Sequence, residues 1–506
     1  MPGAFCRSAP NSGYILLSNP SCVPNIHSAF TGEEFYMREE RRILILSFVS
    51  LLQVFSLKAQ DAFNPRPLID RSMSFVELEE LDSKAAPAGD QSEEFKEQSW
   101  SFHVQGTEIA QGQPGFHSPY AGTNSLRSED TFKQSSSVDI YLGVHLWPGG
   151  EIYFNPEYYQ GFGLGNTHGI AAFPNAENYK VGQKIGDVFN AHLFLRQTFG
   201  LGGEQEEIQG DQLQLAERVD ISRLTFTIGR LSVGDQFDTN AYAHSARTQF
   251  LNWVLSDNGA FDYAADSLGV IEGATVELNQ KTWALRYGIF DVPRVSNGFA
   301  KDGHFLKAWQ QMLELEKRYS LLDHPGKIRL LSWLERAHMG SYRETLADPS
   351  LKENITLTRR YRYQYGFALN VEQEVTKDLG AFLRASWRDG QSEVWQFTDI
   401  DRSLSVGLQL KGNGWKRSGD TVGLAGIIDG ISSAHRDFLA AGGLGVTIGD
   451  GKLPHYDPEE VLEMYYDVEI VKNVHLAIDY QFVANPAYNS DRGPVNVFAA
   501  RFHFQL

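Results

Sequence analysis

Residues 462–470 read LEMYYDVEI, and apolar side chains alternate along them with polar or amphipathic ones. Two further stretches near the C-terminal end, residues 474–482 and 498–506, repeat this two-residue rhythm. A period of two places successive side chains on opposite faces of a β-strand. Each of the three stretches therefore predicts a strand that has one apolar face and one polar face.

The lengths of these strands and of their connections favour a barrel in a membrane. A strand in a soluble sheet is usually about 5 or 6 residues long, whereas a tilted strand that crosses a bilayer needs about 9 to 11. Lys472-Asn473 is a short connection, while residues 483–494 are a long one rich in Gly, Pro, Asn and Asp. Outer-membrane barrels alternate short periplasmic turns with long extracellular loops, and lipid tolerates no open sheet edge. The sequence therefore predicts an all-β fold, a closed transmembrane antiparallel β-barrel.

The N-terminal region predicts export from the cytoplasm if the natural chain starts at Met37. A basic stretch follows Met37, residues 43–57 are apolar, and a cleavage site can follow near Ala59. We interpret residues 1–36 as an upstream extension that is not native, and residues 37–59 as a signal peptide. A membrane-anchored helix over the same residues is the alternative.

Composition narrows the function further. Cys6 and Cys22 are the only cysteines and both precede the predicted signal peptide, so we expect no disulfide and no thiolate metal site in the mature chain. The net charge of −18 argues against nucleic acid as a partner, since nucleic acid is bound through basic patches. The histidines are scattered singly, and we propose no metal and no cofactor.

The rest of the chain divides by composition. Residues 60–99 are acidic and predict a flexible periplasmic segment, and residues 100–136, rich in aromatic residues, Gly and Pro, are expected to pack on or in the barrel. Residues 137–506 carry the alternating stretches and predict the barrel itself, with about 16 strands. Residues 310–336 predict a hairpin that turns at Asp323-His324-Pro325-Gly326. Tyr and Trp near the strand ends predict aromatic girdles, as at Tyr465, Tyr466, Trp387, Trp395 and Trp415.

Three stretches of the chain resemble one protein family. They are residues 146–157 (LWPGGEIYFNPE), residues 229–253 (GRLSVGD, then NAYAH and RTQFLNW), and residues 485–495 (NPAYNSDRGPV). Together they resemble the carbohydrate-selective porins, the OprB-like outer-membrane porins, over about residues 100 to 506. The resemblance implies a 16-stranded barrel in the outer membrane of a Gram-negative bacterium that lets sugars diffuse down their gradient.

One departure from this resemblance concerns the last residue. Barrels of this sort commonly end in Phe, and this chain ends in Leu506, although Phe502 and Phe504 keep the alternation. We expect the C-terminal strand to be recognised by the barrel-assembly machinery, and recognition to be weaker with Leu in this position. Outer-membrane lipid is expected around the barrel, and a homo-oligomer is left open.

Strand parity identifies polar side chains that should face the lumen. A charged side chain on the polar face of a lipid-embedded strand can only face water, and sugars need hydrogen-bonding groups together with an aromatic platform. Parity selects Glu157, Arg196, Arg286 and Arg384 as constriction residues. Residues 229–253 are expected, from the family resemblance, to fold partly into the pore, and they add Arg230, Tyr242, Arg247 and Trp253.

Several functions remain open from the sequence. The predicted function is passive diffusion of mono- and small oligosaccharides into the periplasm, with a general non-selective porin or a polysaccharide export channel as alternatives. No common catalytic signature is present, so we expect no enzyme, and a barrel-embedded hydrolase using Ser222 or Ser405 is less favoured. A soluble periplasmic sugar-binding β-protein is a further alternative, which the long strands with aromatic ends disfavour.

Overall fold

The computed structural model describes residues 95–177 and 183–506. Sixteen strands form one closed antiparallel barrel, and two short strands, β5 and β6, form a separate sheet in one connection. The strands are β1 (Trp100–Gln113), β2 (Thr131–Trp147), β3 (Gly150–Gly161), β4 (Gln183–Gly200), β5 (Gln205–Ile208), β6 (Glu217–Asp220), β7 (Arg223–Leu231), β8 (Ile271–Gln280), β9 (Trp283–Phe290), β10 (Trp309–Leu321), β11 (His324–Met339), β12 (Arg360–Glu374), β13 (Leu379–Arg388), β14 (Arg402–Lys411), β15 (Thr421–Gly430), β16 (Glu459–Val471), β17 (Val474–Ala484) and β18 (Val495–Gln505).

Short helices occur only in the connections among the described residues. Within the same ranges, none is long and apolar enough to cross a membrane. The helices are α1 (Trp253–Ser256), α2 (Tyr342–Ala347) and α3 (Ser433–Ala440), with 3-10 turns at Leu164–Asn166, Pro349–Leu351, Ile355–Thr358, Gly412–Trp415 and Pro486–Tyr488.

The alternation along β16 separates the outside of the barrel from its interior. Leu462 and Met464 are 47% and 51% exposed on the outer face, whereas Glu463 and Tyr465 are almost fully buried on the inner face. The same arrangement recurs around the wall, because a period of two sends neighbouring side chains to opposite sides. The predicted all-β fold, a closed antiparallel barrel of about 16 strands, is confirmed.

The barrel begins earlier than residue 137, where the sequence predicted its start. Strand β1 pairs with β2 and also closes the barrel against β18, with Gln105 opposite Gln505 and Gly112 opposite Phe498. The outward apolar residues of β1 stop at Val104, and the outward positions beyond it are Gly106, Glu108, Ala110 and Gly112, so the apolar stripe is too short for a search for alternation to detect. The segment predicted to pack on or in the barrel is therefore, in its first part, a strand of the wall.

The connections divide the barrel into a turn end and a loop end. Residues 148–149, 281–282, 322–323 and 472–473 make tight turns at the turn end, where both chain termini of the barrel also lie. The connections at the loop end are longer, and the longest of them spans residues 232–270. Residues 201–222, which carry β5 and β6, are a long connection at the turn end. The predicted upstream extension, the predicted signal peptide and nearly all of the acidic segment lie outside the described residues.

The hairpin predicted over residues 310–336 is confirmed, and its four-residue turn lies two residues earlier than predicted. Leu321 pairs with His324, so Leu322 and Asp323 are the two turn residues. Both have positive φ, 52° and 65°. This geometry fits the right-handed twist of the flanking strands, which explains why His324 already belongs to β11.

The predicted aromatic positions fall on both sides of the wall. Trp387 and Trp415 are partly exposed outside, at 36% and 37%. Trp395 is fully buried, and its indole N–H donates to the Pro293 carbonyl at 2.8 Å. Tyr465 is also buried inside the barrel. The girdle prediction is wrong for these last two residues, because the aromatic ring alone does not reveal which face of the wall it occupies.

Candidate solute pathway

The interior of the barrel is narrowed by the connection over residues 232–270, which folds inward from the loop end. Carboxyl groups on the wall hold its backbone. Glu463 accepts from the amides of Leu251 (2.5 Å) and Asn252 (3.0 Å), and Glu372 accepts from Ala241 at 2.9 Å. A buried backbone N–H needs a partner, and inside a barrel only the wall can supply one. We call residues 232–270 the constriction loop.

Arg384, a predicted constriction residue, is one of the anchors of this loop. Its guanidinium donates to the carbonyls of Leu255 (2.7 Å) and Ser256 (3.1 Å) and lies 3.3 Å from the Asp238 carboxylate. Only 1% of the side chain is exposed, and it lines neither of the two cavities described below. The structure therefore places Arg384 beneath the loop.

A second loop-end connection, residues 389–401, is tied to the constriction loop through one aspartate. The Asp262 carboxylate accepts from four consecutive backbone amides, at distances between 2.7 and 3.1 Å, and Arg388 approaches it at 3.4 Å. Backbone amides that converge on an anion hold it in a fixed position. The four amides belong to Trp395, Gln396, Phe397 and Thr398.

The space that remains beside the constriction loop is a cavity of about 690 Å³, which we call the main cavity. Strands β1 to β4 contribute one side of it, and the constriction loop contributes the other. Its lining combines charged groups with aromatic rings. The lining includes Asp139, Tyr141, Glu157, Phe173, Glu177, Arg196, Asp235, Arg247, Trp253, Asp257, Tyr263 and Phe397.

Arg247 stands at the centre of the charged side. Its guanidinium lies 2.6 Å from Asp139, 3.1 Å from Glu157 and 2.7 Å from Glu177, and it also donates to the Tyr141 hydroxyl at 3.2 Å. Burial lowers the pKa of Arg247, but the charges of Asp139 and Glu177 outweigh it and raise the pKa well above its ordinary value. The arrangement keeps one cation and three carboxylates at the edge of the cavity. We call these four residues the Arg247 cluster.

Aromatic rings form another part of the lining of the main cavity, which we call the aromatic side. Phe173 stacks on Trp253 with ring centres 5.5 Å apart, and Phe397 meets both Trp253 and Tyr263 edge-on at 4.9 Å. Offset and edge-on contacts of this kind hold rings rigidly. Trp253 begins α1, whose N-cap, Asn252, accepts from the Val254 amide at 3.1 Å. The aromatic side is therefore positioned by the constriction loop and by the two connections that carry Phe173 and Phe397.

Two further aspartates of the constriction loop face the main cavity. Burial raises the pKa of Asp257 to about 6, against the opposing effect of His244. Burial also acts to raise the pKa of Asp235, but His192, whose Nε2 lies 2.7 Å away, lowers it below the ordinary value. Within residues 95–177 and 183–506, no group of His, Cys, Asp and Glu side chains is arranged to hold a metal ion.

A smaller cavity of about 220 Å³ lies beside the main one, against β4, β7, β8 and β9. Arg286 lines it and is paired with Glu277 (2.5 Å) and Glu314 (2.8 Å). Arg196 lines both cavities and sits over the Tyr153 ring at 5.0 Å. The two cavities thus meet at Arg196.

The structure brings only part of the predicted constriction set together. Glu157, Arg247 and Trp253 line the main cavity, Arg286 lines the smaller one, and Arg196 lines both. The remaining three, Arg230, Tyr242 and Arg384, line neither cavity.

Arg230 forms ion pairs with the carboxylates of Asp266 at 2.6 Å and Glu272 at 3.4 Å. Tyr242 packs against the buried core, beside Gly380 of the wall. Sequence reasoning missed Asp139 and Tyr141, although both alternate with the apolar residues of β2. It also missed Asp257, for which a loop without periodicity gives no signal.

Comparison with known families decides which barrel this is. A family model described as "Carbohydrate-selective porin, OprB family" matches residues 123–506. The chain belongs to the OprB family of carbohydrate-selective porins. It is accordingly a carbohydrate porin of the Gram-negative outer membrane, and its family and fold are those of a channel rather than an enzyme.

One solved structure supports this porin's fold. The high-pH structure of Pseudomonas putida OprB is 14% identical, with 81% of this chain and 94% of that chain covered and a TM-score of 0.61. The outer membrane channel DcaP of Acinetobacter baumannii is 9% identical, with coverage of 80% and 97% and a TM-score of 0.44. No curated protein sequence matches the chain.

Proposed function

We propose that mono- and small oligosaccharides diffuse passively through the main cavity, between the Arg247 cluster and the aromatic side. The observation that carries the proposal is that both surfaces line the same cavity. A sugar presents hydroxyl groups that both donate and accept hydrogen bonds, and it also presents apolar C–H faces. A passage with charged hydrogen-bonding groups on one side and rings on the other complements both surfaces of such a solute.

The charged side offers hydrogen-bond donors and acceptors to a neutral solute. Arg247 offsets only one of the three carboxylate charges of Asp139, Glu157 and Glu177, so the cluster keeps a net negative charge that disfavours anions. Its donors and the carboxylate oxygens can still exchange partners with passing hydroxyls. Each contact must be weak, because a channel conducts only when the solute leaves as readily as it enters.

Arg196 and Arg286 extend this polar surface into the smaller cavity, and Glu157 and Trp253 belong to the main constriction. Arg230, Tyr242 and Arg384 act through the constriction loop, which they hold against the wall. We propose uptake into the periplasm as the physiological direction, with the loop end outside the cell. Lipid would surround the outward apolar side chains, and the assembly machinery would receive the barrel through β18.

The alternatives make different demands on the pore. A general porin needs a wide polar passage without the aromatic side, and an export channel would share the pore but not the direction of the gradient. We propose no chemical step at Ser222 or Ser405. Ser222 accepts a hydrogen bond from Gln280 at 2.9 Å, and Ser405 is a wall residue opposite Arg384 in register.

Swelling of liposomes tests the proposed selectivity. Refolded protein is reconstituted, and the entry of glucose is compared with that of glutamine, a neutral solute of comparable size. We expect faster entry of glucose. Tyr263→Ala, which removes a ring from the main cavity, should reduce the ratio of glucose to glutamine entry.

The matched control is Tyr363→Ala, which removes the same side chain from the outer face, where Tyr363 is 56% exposed. It should leave the ratio unchanged. Equal entry of both solutes through wild-type protein would contradict selective sugar transport and favour a general porin.

A further inference from the structure

The connection over residues 201–222 is unlike the other turn-end connections, which are short. Strands β5 and β6 form its stem, in which Gln205 pairs with Asp220 and Ile208 with Glu217. Beyond the stem, residues 209–216 form a tip that folds back into the barrel. At the end of the tip, the amide of Asp211 donates to the Gln214 carbonyl at 2.8 Å, which closes a tight turn.

The tip is anchored to the wall by its buried end. Leu215 is fully buried and packs in the cluster that includes Tyr153 and Phe194. Its amide donates to the Tyr153 hydroxyl at 3.0 Å, and the neighbouring Ala216 exchanges hydrogen bonds with Gln98 at 2.8 Å. A segment that buries an apolar side chain and satisfies its own amides is held in one position. The tip therefore has a fixed position inside the lumen.

The polar edge of the tip faces the solute pathway. Gln212 donates to the Gln105 side chain at 2.6 Å, and Arg196 donates to the Leu213 carbonyl and to the Gln214 side chain, both at 3.1 Å. Asp211, Gln212, Leu213 and Gln214 all line the main cavity. Gln214 also lines the smaller cavity, as Arg196 does, so the tip stands where the two cavities meet.

Hydrogen bonds connect this tip to the Arg247 cluster. The Gln105 side chain accepts from Gln212 and donates to Asp139 at 3.1 Å and to the Tyr141 hydroxyl at 2.6 Å. Both of these groups contact Arg247. The two inward excursions, one from each end of the barrel, are therefore bridged through a single glutamine of β1.

We propose that residues 209–216 form a second constriction, in which the amides of Gln212 and Gln214 select polyhydroxylated solutes after the Arg247 cluster. This inference rests on the proposed function, because it assigns further selectivity residues to the same sugar pathway. An amide side chain carries two donors and a carbonyl acceptor, which matches a sugar hydroxyl that both donates and accepts. A neutral amide also leaves the pore without added charge, so it selects by hydrogen bonding.

Cysteine modification of reconstituted channels tests the placement of the tip. The background is the full chain with Cys6→Ser and Cys22→Ser, since those are its only cysteines. Gln212→Cys and Gln214→Cys channels are recorded in planar bilayers before and after a methanethiosulfonate that carries a trimethylammonium group. The current recorded before the reagent shows that each variant has folded into a conducting barrel.

The matched control is Ser418→Cys, because Ser418 is exposed in another turn-end connection and lines neither cavity. We expect modification to reduce the conductance of both tip variants and to shift their ion selectivity towards anions, since it adds bulk and a positive charge to the pore. The Ser418→Cys channel should change in neither respect.

Liposome swelling with Gln212→Ala tests the role of the tip in selecting sugars. We expect a lower ratio of glucose to glutamine entry than in the wild type. Failure to label either tip cysteine, or labelling that leaves conductance unchanged, would overturn the second constriction. An unchanged ratio in Gln212→Ala would overturn its role in selection. Equal entry of both solutes through the wild type would instead contradict the proposed function, and the labelling result would still stand.

Discussion

At the scale of single residues, Arg247 carries most of the electrostatic balance of the pore. Arg247→Ala leaves three carboxylates facing the cavity without their cation, so we expect cation selectivity to rise and glucose entry to fall. Removing one member of a buried ionic group is also expected to lower the free energy of unfolding by about 3 kcal/mol. Reversal potentials in a KCl gradient and urea unfolding measure the two effects.

The control for this change is Arg247→Lys. It keeps the positive charge but loses the planar fork that reaches several carboxylates at once, so sugar entry should fall while ion selectivity changes little. If Arg247→Ala and the wild type have the same reversal potential, the Arg247 cluster does not face the conducting pathway.

The raised pKa of Asp257 predicts that ion conduction depends on pH. Burial raises its pKa to about 6, above the ordinary value of 3.8, so the side chain is neutral below that pH and ionised above it. Negative charge beside the cavity then increases as the pH rises from about 5 to about 7, and the K⁺ to Cl⁻ permeability ratio should rise with it. Asp257→Asn should lose this step. Asp437→Asn, at an exposed position of α3 that lines neither cavity, should keep it, and a step that persists in Asp257→Asn would assign the titration to another group.

At the scale of elements, the constriction loop depends on the wall carboxyls that hold its backbone. Glu463→Gln leaves one carbonyl oxygen in place of two acceptors for the amides of Leu251 and Asn252. An unsatisfied buried amide costs about 1–3 kcal/mol, so the loop should open more often and trypsin should cleave after Arg247 faster. Glu460→Gln makes the same change on the exposed side of β16 and should leave cleavage unaltered. Equal cleavage rates in the two variants would show that Glu463 does not hold the loop.

A glycine of the wall supports the loop in another way. A Cβ on Gly366 would lie 2.2 Å from the Trp333 ring, which packs on Phe261 of the constriction loop at 4.9 Å. Gly366→Ala should therefore push this ring into the loop and lower the free energy of unfolding by about 1–3 kcal/mol. Gly426→Ala is the matched control, because its Cβ would meet only the Val461 carbonyl at 3.9 Å. Urea midpoints in detergent that fall equally for both would exclude the packing argument.

At the scale of the whole molecule, alternation predicted the barrel but not its contents. The three C-terminal strands follow from a period of two, because lipid outside and water inside impose it on nearly every strand. The hairpin over residues 310–336 follows from its turn signal, and the strand number follows from the length of residues 137–506 divided by the length of one strand with its connection. Strand β1 was not predicted as a strand of the barrel, because its outward positions include Gly106 and Glu108. The contacts that anchor the inward loops were not predicted, for a different reason. A wall carboxyl such as Glu463 finds its partners more than 200 residues away in the chain, and no local pattern records that pairing.

In the candidate site, the residues on strands were predictable and the contacts made by loops were not. Parity found Glu157, Arg196 and Arg286, whose positions on strands decide which way they face. The family resemblance directed attention to Arg247 and Trp253 in the constriction loop. Parity could not show that Arg384 lies beneath that loop, since the loop covers part of the inner wall. Selectivity is therefore a property of loops seated on the wall, and it can be read only when both are in place.

Single-channel recording with sugar in the bath tests whether the narrowed lumen binds carbohydrates weakly as they pass. Glucose at increasing concentration should reduce the ion current through the wild-type channel along a saturating curve, because a sugar that occupies the constriction blocks ions for a short time. Glutamine should reduce the current only slightly and without saturation. If the two solutes reduce the current equally, the pore has no carbohydrate-selective constriction and the account is contradicted.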